Sequence, residues 1–243
     1  MVRKTISIII PAYNEARRLP SALSDIKKAR IPGGYKLLEV IVVDDGSTDE
    51  TDKMARGFGA DLPVKVIKIG QKSGKGDAVR RGMLAAKGQL KLFMDADGSV
   101  SLSGHLAEFL KSARDGHHLV IGSLGVPKAV IIDEDSRPYR RPLGTLSRRL
   151  VINRVLPGIK DSQRGFKLFD AQTAELIFKR QTISGYGFDV ELLVIAREHQ
   201  IPVKELPVVW QNSRESKVGL TDYFRTLKEV RMIDRNRKKG LYG

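Results

Sequence analysis

The chain has 243 residues, with 43 Lys and Arg against 28 Asp and Glu and a formal net charge of +15. That length suits one large α/β domain with a buried core, and the charge favours contact with nucleic acid, anionic lipid or phosphorylated substrates. The absence of cysteine excludes disulfides, thiolate metal sites and thiol nucleophiles, so oxygen and nitrogen groups must carry any chemistry.

Met1-Val2-Arg3-Lys4 and the apolar Ile6 to Ile10 superficially resemble a signal peptide. The apolar run is too short, however, and Pro11-Ala12-Tyr13-Asn14-Glu15 is no cleavage site, so the segment reads as a first strand. Leu38 to Val43, Val64 to Ile69 and Leu90 to Met94 read as three more strands, with helical patterns between them. Apolar runs without polar alternation, separated by helices, predict a mostly parallel central sheet covered on both faces, which binds ligands beyond the C-terminal ends of its strands. A helix is expected from Ser101 to Arg114 and a strand over Leu119 to Ile121, followed by a less regular region between Gly122 and Gly165. Helical patterns resume at Ala171 to Phe178 and Phe188 to His199. No stretch approaches the roughly 18 to 20 consecutive apolar residues of a membrane-spanning helix, so any membrane contact is expected to be peripheral.

Three strand ends carry polar clusters: Pro11-Ala12-Tyr13-Asn14-Glu15, Asp44-Asp45-Gly46-Ser47-Thr48-Asp49 and Asp95-Ala96-Asp97-Gly98-Ser99. Each alone has a local explanation, since Asp49 or Thr48 would cap the next helix and Gly46 and Gly98 would permit turns. Asp95 and Asp97 carry more weight, because two carboxylates at the end of a very apolar strand suit Mg²⁺ or Mn²⁺. Such cations bind through one or two carboxylates while a substrate diphosphate supplies further oxygens. After the third strand, Gly74-Lys75-Gly76-Asp77 opens a helix whose small residues would let backbone N–H groups approach an anion. It matches neither the Walker loop nor the Gly-x-Gly-x-x-Gly pattern.

These four motifs, in this order, resemble the nucleotide-binding half of family 2 glycosyltransferases with the GT-A fold. Downstream, Asp161-Ser162-Gln163-Arg164-Gly165-Phe166-Lys167-Leu168-Phe169 and Gly187-Phe188-Asp189-Val190-Glu191 look like the acceptor-side motifs of the dolichyl-phosphate glucosyltransferases and mannose synthases. The resemblance implies one α/β GT-A domain over residues 1–243. Its nucleotide-sugar half would span about 1–100, its acceptor half about 101–219 and a basic amphipathic helix about 220–243. It implies that Pro11, Ala12, Tyr13, Glu15 and Asp45 hold base and ribose, with Asp44 not ranked against Asp45. Lys75 would lie near the nucleotide, with Asp95, Ala96 and Asp97 at the donor and Asp95 and Asp97 as metal ligands. Mannose-branch members often carry Gln where Ser99 stands, and the Asp97-Gly98-Ser99 wording is closer to the glucosyl branch. UDP-glucose is therefore the favoured donor, with GDP-mannose the alternative.

From Ser136 to Arg164 there are eight basic residues and one acid, Asp161. Most would simply be solvated, but two or three of the eight would grip the phosphate of a polyprenyl acceptor, the candidates being Arg137, Arg140, Arg141, Arg148 and Arg164, with Lys217 further on. Because that phosphate is already ionised at neutral pH, alignment and leaving-group stabilisation matter more than a strong base. Inversion in a single displacement follows. Asp161 and Asp189 are the acids expected at the reacting centre as orienting groups, although Asp189 also fits as a first-turn helix acid.

Leu220, Tyr223, Phe224, Leu227, Val230 and Ile233 share one stripe of a C-terminal helix with basic surroundings, the build of an interfacial helix at an anionic membrane surface. Docking of that stripe on the core is the competing arrangement. The expected location is cytoplasmic, peripheral at the cytoplasmic face of a membrane. Nucleic-acid binding is disfavoured, since aromatics make up only 6% and do not interleave with the basic clusters. A non-catalytic membrane scaffold and a soluble transferase with a sugar acceptor are the remaining alternatives. Oligomeric state is not legible.

Overall fold

The structure is a computed structural model that describes residues 3–133, 155–212 and 220–243. Strands β1 (Lys4–Ala12), β2 (Tyr35–Asp44), β3 (Val64–Lys68) and β4 (Leu90–Met94) alternate with helices α1 (Leu19–Lys28), α2 (Thr51–Gly57) and α3 (Lys75–Ala85). Then come α4 (Leu102–Arg114), β5 (Leu119–Ser123), β6 (Val130–Asp133) and β7 (Phe166–Asp170). The chain closes with α5 (Ala171–Arg180), α6 (Phe188–Glu198), β8 (Val203–Pro207), β9 (Val209–Asn212) and α7 (Leu220–Lys238).

Seven strands form one sheet in the order β3-β2-β1-β4-β7-β5-β8. Every neighbouring pair is parallel except the two made by β7, which runs against β4 and β5. The expected mostly parallel sheet is therefore present, with one reversed strand, β7, between β4 and β5. Its apolar runs are buried on both faces. One face packs Ile9, Val43 and Phe93 against α3, α5 and α6, and the other packs Ile8, Val42 and Leu92 against α1 and α4.

Strand β7 coincides with the Phe166-Lys167-Leu168-Phe169 motif, whose lysine hides its strand character. Lys167 is 0% exposed, and burial of an unpaired ammonium would be prohibitive. Its ammonium instead pairs with Asp189 of α6 and donates to the Arg164 carbonyl at 2.7 Å. Strands β6 and β9 form a separate two-stranded parallel ribbon that leaves Val130, Ile131, Ile132 and Val209 exposed.

The C-terminal stripe divides. Val230 and Ile233 are buried in the core and Leu227 packs against it, whereas Phe224 is 74% exposed. Docking on the core thus accounts for the second half of the stripe. Among the described residues, no helix is long and apolar enough to cross a membrane.

Candidate active site

The C-terminal ends of β1, β2 and β4 meet at one cleft of about 320 Å³, a volume in the range of small-molecule sites. Pro11, Ala12, Tyr13, Glu15, Asp45, Lys75, Asp95, Ala96 and Asp97 all line it. The two turns that begin the site are stitched together by side chains. Ser47 Oγ accepts from the Asn14 N–H at 2.9 Å, Asn14 Oδ1 accepts from the Thr48 N–H at 2.8 Å, and Thr51 Oγ1 accepts from the Glu15 N–H at 2.8 Å. Asn14 takes a positive φ of 55°, which asparagine tolerates better than most side chains.

The adjacent acids Asp44 and Asp45 have different tasks. Asp44 turns inward, where its Oδ1 accepts from the Ser47 N–H at 2.9 Å, and it does not line the cleft. Asp45 Oδ1 accepts from the Ser73 N–H at 2.7 Å and the Ser73 hydroxyl at 2.8 Å, while Oδ2 accepts from the Gly74 N–H at 2.9 Å. It therefore fixes the segment leading to Lys72 and Lys75. The Lys72 ammonium lies 3.9 Å from the centre of the Tyr13 ring, a cation–π contact between two residues that line the cleft.

Lys75 Nζ stands 2.7 Å from Asp95 Oδ1. Burial disfavours its charge, but Asp95, Asp189 and Asp97 outweigh burial and hold the lysine above its ordinary pKa. Burial raises the Asp97 carboxyl above the ordinary value and Asp95 pushes the same way, against the Ser99 N–H, 3.0 Å away, and Lys75. The contact to Lys75 has ion-pair distance without the alignment of a hydrogen bond, so Asp95 Oδ1 is a buried oxygen with acceptor capacity left over. Among the described residues no group of three or more His, Cys, Asp or Glu forms a metal cage. Two carboxylates open to a substrate fit Mg²⁺ or Mn²⁺, which take few protein ligands and complete their shell with phosphate oxygens and water.

The glycines at the start of α3 make room for another part of the chain. A Cβ on Gly74 would lie 2.4 Å from the Ser184 carbonyl oxygen, and one on Gly76 would lie 2.6 Å from that of Ile183. The Gly76 and Asp77 N–H groups both donate to Ser184 O, at 2.7 and 3.4 Å. The helix start is thus capped by a distant backbone segment, which corrects the expectation of an anion at those N–H groups.

Neither Asp161 nor Asp189 lines the cleft. Asp161 is buried, accepts from the Leu124 N–H at 3.0 Å and the Gln163 N–H at 3.2 Å, and lies 3.1 Å from Arg164 Nε. Arg164 in turn stacks its guanidinium 5.1 Å from the Trp210 ring. Asp189 is buried beneath the cleft against Lys167. Burial raises its carboxyl, with Lys167 and Lys75 opposing. Arg137, Arg140, Arg141, Arg148 and Lys217 lie outside the described residues.

Three cations that line the cleft, Arg18, Lys72 and Arg225, are absent from the donor-site residues expected from the sequence. Arg18 grips Glu15, with Nε 2.7 Å from Oε2, and its Nη1 lies 3.7 Å from Asp97 Oδ2. The Glu15–Arg18 spacing is the available signal for it, whereas nothing local marks the other two.

The cleft at the C-terminal edge of a mostly parallel sheet, with an Asp-Ala-Asp rim and flanking lysines, belongs to an α/β chain of the GT-A fold. Residues 7–181 match the family described as Glycosyl transferase family 2, and the chain belongs to that family as a glycosyltransferase. The dolichyl-phosphate β-glucosyltransferase of Dictyostelium discoideum is 34% identical over 227 residues, covering 88% of this chain and 68% of the relative. The human protein of the same name is 34% identical over 229 residues, covering 88% and 70%. In fold, the chain resembles glucosyl-3-phosphoglycerate synthase of Mycobacterium tuberculosis solved with Mn²⁺, UDP and glucosyl-3-phosphoglycerate. The TM-score is 0.67 at 20% identity, covering 96% of this chain and 80% of that one. Mannosyl-3-phosphoglycerate synthase of Rubrobacter xylanophilus gives 0.69 at 22% identity, covering 98% and 75%.

Proposed function

We propose that this glycosyltransferase moves glucose from UDP-glucose to a dolichyl or related polyprenyl phosphate with inversion, working peripherally at the cytoplasmic face of a membrane. The observation that carries this reading is the Lys75–Asp95–Asp97 constellation in a cleft whose chain is 34% identical to dolichyl-phosphate β-glucosyltransferases over most of its length.

In this reading residues 1–243 act as one catalytic domain, with the donor in the half up to about residue 100 and the acceptor in the half that follows. Tyr13, Glu15 and Asp45, beside Pro11 and Ala12, hold the nucleoside. When bound, Mg²⁺ or Mn²⁺ would be held by Asp95 and Asp97 and would offset charge on the leaving diphosphate. Lys75 adds fixed positive charge on the same side. An acceptor phosphate oxygen supplies the electron pair for the new bond to the anomeric carbon. The bond from that carbon to the diphosphate breaks, and the nucleoside diphosphate leaves with its electrons. No proton has to move for this exchange, so the chain's contribution is alignment and charge.

Asp189 acts through Lys167 as a buried charge that orients the floor of the site. Asp161 positions Arg164, which with the arginines between residues 137 and 148 and Lys217 meets the acceptor phosphate. The apolar β6–β9 ribbon and exposed Phe224 support contact with lipid, and the net charge supports an anionic surface.

The test is sugar transfer to dolichyl phosphate in detergent with Mg²⁺ or Mn²⁺, comparing UDP-glucose and GDP-mannose for the wild type and Asp97→Ala. Metal-dependent formation of a lipid-linked glucose, lost in the variant, is expected. Transfer from GDP-mannose alone would reassign the donor. Donor binding without transfer to the lipid would remove the acceptor assignment.

A further inference from the structure

Helix α7 approaches the cleft from the far end of the chain. Its Arg225 lines the cleft together with Gly185 and Tyr186, and its Glu229 accepts a hydrogen bond from the Gly187 N–H at 2.7 Å. Four residues apart, Arg225 and Glu229 share one face of the helix. The Glu229 side chain fills the space that a Cβ on either side of Tyr186 would enter. A Cβ on Gly185 would lie 2.0 Å from Glu229 Oε1, and one on Gly187 would lie 2.8 Å from Oε2. The same turn is held from the other side, where Ser184 O receives the first N–H groups of α3 next to Lys75. Val230 and Ile233 then bury the helix in the core, so its register against the turn is fixed. Arg225 has no carboxylate partner among the described residues, although four acids, Glu15, Asp45, Asp95 and Asp97, line the same cleft. A cation placed at a site rim and left unpaired is suited to an anionic ligand.

We propose that α7 forms a wall of the donor site, with Arg225 binding the diphosphate of the nucleotide sugar and Glu229 positioning it by locking the helix to the Gly185–Gly187 turn. The proposal rests on the cleft's reading as a nucleotide-sugar site. It adds to that site a binding residue and a positioning residue more than a hundred residues beyond the Asp-Ala-Asp rim. Arginine is the fitting residue, because its planar fork meets two phosphate oxygens at once.

The test is calorimetric titration of the whole chain with UDP, GDP and uridine, with Mg²⁺ and without acceptor, for the wild type, Arg225→Ala, Arg225→Lys, Glu229→Ala and Glu229→Gln. Loss of a charge-assisted contact predicts UDP binding weakened roughly tenfold or more in Arg225→Ala, with uridine within about twofold of wild type. Arg225→Lys recovers part of the loss. Glu229→Ala shows the same selective loss, Glu229→Gln less of it because its amide oxygen still accepts from Gly187, and Arg225→Ala adds little in the Glu229→Ala background. Unchanged UDP affinity in Arg225→Ala overturns the proposal. In a parallel transfer assay, a rise in Arg225→Ala only in the KM for dolichyl phosphate overturns it too, since that would give Arg225 to the acceptor instead. Equal weakening of UDP and uridine in both Glu229 variants, or a lowered Tm with unchanged affinity, reduces Glu229 to a structural residue and overturns its positioning role. If the wild type binds neither UDP nor GDP, the donor reading itself fails, a result distinct from full binding by the Arg225 variants.

Discussion

Gly165 lies against the carboxylate of Asp95. The Asp95 N–H donates to the Gly165 carbonyl at 3.0 Å, and a Cβ on Gly165 would sit 2.1 Å from Asp95 Cγ. The downstream Arg164-Gly165-Phe166 motif thus makes room for an acid on the neighbouring strand. Gly165→Ala is expected to displace the Asp95 carboxylate. Because a misplacement of about 1 Å costs on the order of a hundredfold in rate, kcat should fall by roughly that factor. Mn²⁺ affinity, read by titration in the presence of UDP, should fall with it. A variant that binds Mn²⁺ and transfers sugar normally would show that the two residues are independent.

Asp44 and Asp45 should separate cleanly by experiment. Asp44 serves its own turn, so Asp44→Ala leaves the Ser47 N–H short of a partner and lowers unfolding free energy by about 1–3 kcal/mol, with UDP affinity near wild type. Asp45→Ala releases the Ser73–Gly74 segment that leads to Lys75, and should weaken UDP binding by roughly tenfold or more. Urea unfolding and nucleotide titration of both variants decide it, and equal loss of affinity in the two would refute the division of labour.

The parallel half of the fold is legible because burial on both faces leaves long apolar runs such as Ile6 to Ile10 with no polar alternation to mislead. The cleft follows from it, since strand ends with polar clusters mark the ligand side of such a sheet. What fails is whatever depends on distant pairing. Lys167 interrupts an apolar strand, and its burial is made tolerable by the Arg164 carbonyl and by the charge of Asp189, twenty-two residues on. Gly74 and Gly76 suggest a cradle for an anion, but the group they admit is the backbone around Ser184. The C-terminal stripe has the same periodicity whether it faces lipid or core, so only packing reveals that Val230 and Ile233 are inside while Phe224 is out. Arg225 joins the cleft by that same packing.

Glu39 gives the fold a definite acid response. Buried on β2, it accepts from the Ser7 hydroxyl at 2.8 Å, the Lys87 N–H at 2.7 Å and the Lys65 ammonium at 2.8 Å. Burial alone would raise its carboxyl, but Lys65, Lys87 and Ser7 together bring it below the ordinary value. A carboxyl with a depressed folded-state pKa stabilises the fold above the unfolded pKa of about 4.3, and that contribution is lost as pH falls through the lower folded value. Glu39→Gln should therefore be less stable than wild type at pH 7, by about 1–3 kcal/mol, and the gap should narrow steadily below about pH 4.5. Urea unfolding across pH 3 to 7 measures it. A gap independent of pH would mean that the charge on Glu39 contributes nothing.

Phe224 is exposed although Leu227, Val230 and Ile233 of the same stripe meet the core, and Ile131 is 55% exposed on the β6–β9 ribbon. Removal of a large apolar side chain from water into a lipid interface is worth roughly 1.5–3 kcal/mol, so each residue is expected to contribute about tenfold to vesicle partitioning. The net charge of +15 should add an attraction that depends on anionic lipid and weakens with salt. Sedimentation with phosphatidylserine-containing vesicles should accordingly exceed that with phosphatidylcholine vesicles, and should fall in Phe224→Ser and further in Phe224→Ser combined with Ile131→Ser. UDP affinity provides the control, because neither side chain lines the cleft. Equal binding by wild type and the double variant would leave the charge alone as the membrane contact. Absence of vesicle binding by the wild type at low salt would remove the membrane surface from the account altogether.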